Sequence, residues 1–309
     1  MNWILITIAF LMSCLFSFTL IPYIKNWINQ KKSRNEDNNK FKKPRVRSLE
    51  GLLSVLLFFI VISIILTIQT FTNEADINIY LLFTSLLSIA VIAFIGFVDD
   101  ILGFPNRTIR NIFFLCAIVP ILTTVINQNQ PIIDGVLNHT NIYFLISVPI
   151  VIIISSALFN GVKSFNKINL SLGSIITVTL FVMAVYEQNY TAQLMLSTIG
   201  GIFIFLQMYN FTNIKLSLGK VGRFSLGTIV ASVAILQNTI IPFLILLIPY
   251  LIYHLIYKNN FDKEQAILRS LNVPNDSPEQ TEKFQNAFLY LTLLQIIFSV
   301  IAITAYIKL

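Results

Sequence analysis

Apolar positions along this chain fall in blocks, not at the period of a one-sided helix or the alternation of a half-buried strand. Ten blocks lie near 3–24, 51–71, 79–98, 111–127, 142–159, 170–186, 194–209, 224–238, 240–257 and 287–307. Each is close to the roughly 17–25 residues that cross a bilayer as helix. The pattern predicts an all-α, polytopic membrane protein with about ten transmembrane helices. The shortest break is Gln237-Asn238-Thr239, where Pro242 just beyond favours a tight turn.

The polar segments alternate in charge. Loops 25–50, 99–110, 160–169, 210–223 and 258–286 hold 20 of the 21 Lys and Arg residues, and loops 72–78, 128–141, 187–193 and 237–239 hold none. The positive-inside bias puts the five basic loops in the cytoplasm and both termini outside. One missed or invented helix would scramble this alternation, so it also supports the ten-block count.

Composition agrees: 56% of the 309 residues are hydrophobic and 11% charged, against roughly 25% charged in a soluble domain. A basic fringe facing anionic lipid accounts for the net charge of +7 without nucleic acid. Met1-Asn2-Trp3 lacks the basic start of a cleaved signal, and the apolar run behind it is longer than an h-region. Cys14 and Cys116 both fall inside spans, as packing residues. The polar hairpin KKSRNEDNNKFKK (31–43) is too short to fold alone, so residues 1–309 read as a single integral membrane domain.

Candidate chemistry gathers on one side. Span three runs through Gly96 directly into two adjacent acids, Asp99 and Asp100, at its cytoplasmic end. Neighbouring carboxylates repel, and the edge of hydrocarbon adds a desolvation cost, so something must compensate them. The strings FNGVKSFNKINLSLG (159–173) and MYNFTNIKLSLGKVGRFSLG (208–227) reach the same face, richer in Asn, Gly and Lys than connection requires. Acids, amides and glycines converging there suggest a site for a charged ligand. Paired carboxylates suit a divalent cation and hence a phosphate-bearing substrate; the plainer alternative is that they only cap and orient the helix.

GFVDDILG (96–103) followed by Arg110 resembles the Gly-Phe-x-Asp-Asp signature of the polyprenyl-phosphate N-acetylhexosamine-1-phosphate transferases. This family includes the phospho-MurNAc-pentapeptide translocases and the undecaprenyl-phosphate GlcNAc-1-phosphate transferases. KKPRVRSLEGLL (42–53) lies where the family has a Pro and a Gly-Gly entering span two. The resemblance implies ten or eleven spans and a cytoplasmic site in a bacterial plasma membrane. It also implies a magnesium-dependent transfer of sugar phosphate from a UDP-sugar to undecaprenyl phosphate, releasing UMP, in envelope-polymer assembly, as a homodimer or with partner envelope enzymes. It gives catalytic and metal-binding roles to Asp99 and Asp100, and substrate contacts to Arg110, Asn169, Asn210, Lys215 and Gly219.

The third motif departs from the family. There the pattern runs Asn, four residues, Lys, three residues, Gly-Asp-x-Gly-Ser, then Leu-Gly. Asn210, Lys215, Gly219, Gly222, Leu226 and Gly227 keep their places, but Lys220 stands at the magnesium-binding Asp and Arg223 at the Ser. SFNKINLSLG keeps Leu170 and Gly173, with Ile168 or Asn169 where an acid or amide is wanted. The final loop, 259–280, keeps Asp262 and Leu268 but lacks the family's His-x-His-His string. His139 is predicted outside and His254 within span nine.

By 332/(ε·r), replacing attraction with repulsion at about 4 Å and an effective ε of 20 changes a unit-charge pair by about 8 kcal/mol. An ammonium at position 220 therefore disfavours magnesium and neutralises the acids itself. Two functions follow: a relative with lost or much reduced catalysis, acting as scaffold, regulator or lipid-phosphate binder, and an active transferase with drifted motifs. A transporter would show paired Gly/Pro breaks in corresponding spans, and none is seen.

Overall fold

The computed structural model describes residues 2–36, 49–72, 78–101, 139–162, 166–211, 218–257 and 278–308, and these are helical apart from short turns. The helices are α1 (Asn2–Glu36), α2 (Leu49–Thr72), α3 (Ile79–Ile101), α4 (His139–Gly161), α5 (Asn166–Tyr186), α6 (Tyr190–Phe211), α7 (Gly219–Leu236), α8 (Ile240–Leu246), α9 (Ile248–Ile252) and α10 (Pro278–Lys308), with a π-turn at Tyr253–Tyr257 after α9. Seven are long and apolar enough to cross a membrane, and residues Ile146–Gly161 and Ile240–Leu255 form shorter apolar helices. Nine of the ten predicted blocks thus lie on helix among the described residues; block 111–127 lies outside them.

The bundle is built around α7. It packs against α2, α3 and α4, and nearly all of its residues are buried. Its sequence, GKVGRFSLGTIVASVAIL, explains this: without a hydrophobic drive between helices in lipid, small residues permit the close backbone approach that holds a bundle together. Gly222 meets Gly51 of α2, Gly96 of α3 lies over Val221, and Gly227 lies against Ser155 and Ser156 of α4. A hydrogen bond from Ser155 Oγ to the Gly227 carbonyl (2.7 Å) pins the last crossing. On the far side, α1 lies on α6, with Gly201 against the Phe10 carbonyl.

Polar side chains close one end of the bundle. Asn78 N–H donates to Thr191 Oγ1 (3.0 Å), and Asn189 Nδ2 donates to the Leu236 carbonyl (3.4 Å). These bonds join the segments at 78, 187–193 and 236–239 at one end of the bundle. The α7–α8 turn falls at Gln237–Thr239, with Asn238 left-handed (φ 54°), a conformation that Asn tolerates better than most residues. Pro242 sits in the first turn of α8, where its missing N–H costs no helical bond.

Span nine is broken into three pieces, α8, α9 and the π-turn. Pro249 cannot donate an N–H to the preceding turn, which explains the break before α9. The π-turn holds the His254 ring over Gly161 at the end of α4, so closely that a Cβ on that glycine would overlap it.

Candidate functional site

At the opposite end of the bundle from Asn78 and Asn189, the last turn of α3 meets the first turn of α7. Gly219 opens α7 with φ 58°, a left-handed conformation natural to glycine. The turn sends two N–H groups, of Lys220 (2.9 Å) and Val221 (3.3 Å), to Asp100 Oδ2. The first N–H groups of a helix have no partner inside it and carry the positive end of its dipole. Leu218, at the N-cap, supplies no side-chain bond, so α7 is capped across the bundle by an acid from α3.

The converse contact lies beside it. Lys220 Nζ forms an ion pair with Asp99 Oδ1 at 2.9 Å and donates to the Asp99 carbonyl at 3.0 Å. The carbonyls ending a helix lack internal N–H donors, and a cation there is favourable for the same dipole reason. Each helix end is thereby matched by a charge from the other. Asp99 is 3% exposed and Lys220 29%. Arg223, one turn further along α7 and 9% exposed, has Asp100 as a charged neighbour. Two acids and two cations therefore meet at one helix junction.

Asn169 is elsewhere engaged. Its Nδ2 donates to the Phe159 carbonyl (3.0 Å), and Tyr250 Oη donates to its Oδ1 (3.0 Å) and lies 2.9 Å from its carbonyl. The Tyr250 ring stacks on Phe159 at 4.6 Å. Asn169 is 1% exposed, and these bonds tie α4, α5 and α9 together. Arg110 and Lys215 lie outside the described residues, and Asn210 is placed only by its backbone in the last turn of α6. Gly219 acts through its backbone.

Sequence reasoning singled out the acid pair, Lys220 and the Arg223 substitution, but not Tyr250 or the Val221 N–H. Nothing local marks Tyr250, which is 81 residues from its partner. The helix start at Gly219 was a usable sign of donors waiting for an acid. Among the described residues, no three His, Cys, Asp or Glu side chains gather closely enough to hold a metal ion.

Residues 82–238, half of the chain, match the model of the family described as Glycosyl transferase family 4. The chain belongs to glycosyl transferase family 4. The matched stretch carries every residue of the α3–α7 junction.

Among curated relatives of this family 4 protein is "Putative UDP-N-acetylglucosamine--dolichyl-phosphate N-acetylglucosaminephosphotransferase" of Saccharolobus solfataricus, 29% identical over 79% of this chain and 76% of its own length. "Putative glycosyltransferase MJ1113" of Methanocaldococcus jannaschii is 26% identical over 77% of this chain and 73% of its own. A protein of Sulfolobus acidocaldarius with the same name as the first is 21% identical over 79% and 76%. The family and the seven apolar helices make this an integral membrane protein.

Proposed function

We propose that this protein is a divergent sugar-1-phosphate transferase relative in which magnesium-dependent transfer is lost or much reduced. It then serves a polyprenyl-phosphate-linked glycan pathway as a scaffold, regulator or lipid-phosphate binder. The observation that carries this reading is the ion pair between Lys220 and Asp99. A catalytic acid pair has to present its oxygens to a metal and a phosphate, whereas here one acid holds an ammonium and the other caps a helix. The lipid is a polyprenyl phosphate, of the undecaprenyl type implied by the motifs or the dolichyl type in the relatives' names, and the donor of the parent activity is a UDP-sugar. The second reading, an active transferase, draws on those same names and on the retained Asp99 and Asp100.

The purified protein is expected to release no UMP above background from UDP-GlcNAc or UDP-MurNAc-pentapeptide with undecaprenyl or dolichyl phosphate and magnesium. Turnover of roughly 1 per second or more, abolished by Asp100→Asn, would establish the active reading instead.

The proposed topology is a single domain in the plasma membrane, with ten spans, both termini outside and the α3–α7 junction inside, supported by the segregation of 20 of 21 basic residues. Single cysteines introduced as Glu36→Cys, Asn106→Cys, Asn166→Cys, Leu216→Cys and Asp276→Cys should be labelled only from the cytoplasm. Labelling of any one from outside breaks the map.

A further inference from the structure

Two adjacent carboxylates at a helix end, as at Asp99 and Asp100, are a natural place for a divalent cation, so whether these residues fit one is a question of geometry. Magnesium requires oxygen ligands at about 2.0–2.1 Å in near-octahedral array. Asp99 Oδ1 already has the Lys220 ammonium at 2.9 Å. An ion bound to that oxygen would lie within about 5 Å of a fixed positive charge, by adding the ligand distance to the ion-pair distance. On the other acid, Oδ2 receives two backbone N–H groups. Turning it toward an ion would uncap α7. The buried guanidinium of Arg223 adds a second positive charge to the same neighbourhood.

Among the described residues no third acid joins Asp99 and Asp100, and two fixed cations stand beside them, so a divalent ion is poorly served here. We infer that Lys220 is the resident cation of this site, a covalently attached replacement for a divalent ion, so that the site is metal-independent. The reason lies in charge as well as space. Two carboxylates need about two positive charges, and Lys220 and Arg223 supply them from one helix face, three residues apart. Lys220 also holds the Asp99 carbonyl, a helix-end contact that ties it to the α3–α7 junction, whereas an exchangeable ion would come and go. This deepens the loss-of-transfer reading and rests on it.

The test uses the full chain in phosphatidylcholine nanodiscs and Mn²⁺ as probe, with binding read from loss of the free-ion electron paramagnetic resonance signal. Wild type is expected to retain no more Mn²⁺ than the Asp99→Asn/Asp100→Asn double variant. Lys220→Asp should gain a single saturable ion per chain, lost again when Asp99→Asn is added. Lys220→Gln, which removes the charge while keeping most of the bulk, should bind at least about tenfold more tightly than wild type and covers the case in which Lys220→Asp does not fold. A wild-type ion abolished by Asp99→Asn overturns the inference. So does failure of both Lys220 variants, properly folded, to bind more than wild type. Because no turnover is measured, an ion bound without UMP release would refute metal independence alone, and magnesium-dependent UMP release would refute the functional reading.

Discussion

Lys220→Ala is expected to destabilise the protein in detergent by about 3–5 kcal/mol, the range for removing one partner of a buried pair. An exposed pair would give no more than about 1 kcal/mol; Lys220 is 29% exposed, but the charge its removal strands, on Asp99, is 3% exposed, which sets the cost above that of a surface pair. The loss has two parts. Asp99 keeps a desolvated charge beside Asp100, and its carbonyl at the end of α3 loses a donor. Adding Asp99→Asn to Lys220→Ala removes the stranded charge, so the double variant should be more stable than Lys220→Ala alone. Lys220→Asp should be worse still in chelator, with three acids together, and should recover in millimolar magnesium, while wild type shifts little. The measurement is a melting series on these variants with and without magnesium. Parental stability in Lys220→Ala would mean that the lysine contributes nothing to the junction.

The juxtaposition of Lys220 with the acids was legible in the sequence because it depends on register: Asn210, Lys215, Gly219, Gly222 and Gly227 hold the motif's spacing, so the one reversed charge stands out. The helix positions among the described residues were legible for an equally simple reason, since block length is one-dimensional. Neither argument reaches pairings between distant segments. That Asp99 and Asp100 take different partners follows from the rotation of α3 against α7, and adjacent residues point some 100° apart on a helix. The engagement of Asn169 by Tyr250 depends on the break at Pro249 and the packing of α9 on α4. No periodicity carries that information.

The glycines of this junction lead to the second large effect. Gly51 of α2 lies directly against the carbonyl of Leu218, and the Cβ of an alanine there would overlap that oxygen and come within 2.9 Å of the Gly222 nitrogen. Those atoms are backbone, and the Leu218 carbonyl also accepts from Gly222 N–H at 3.1 Å, so no rotamer change relieves the overlap. The helices must separate. Overpacking a core typically costs about 1–3 kcal/mol, and because only backbone can yield, Gly51→Ala should lie at or above the top of that range. Gly200→Ala is the matched control, since the nearest atoms to its Cβ, on Thr177 and Phe10, lie at 3.9 and 4.0 Å. Alanine is better than glycine in a helix by roughly 0.5–1 kcal/mol, so Gly200→Ala should be neutral or slightly stabilising. Melting both variants beside wild type separates a general glycine effect from this crossing, and equal stability of the two would mean that α2 and α7 do not meet at Gly51. Gly51→Ala has a further consequence that a remote core defect lacks. Displacing Leu218 moves the residue preceding Gly219, and with it the turn that aims the Lys220 and Val221 N–H groups at Asp100. Lys220→Ala should therefore cost less in the Gly51→Ala background than in wild type, because the ion pair it removes has already been loosened.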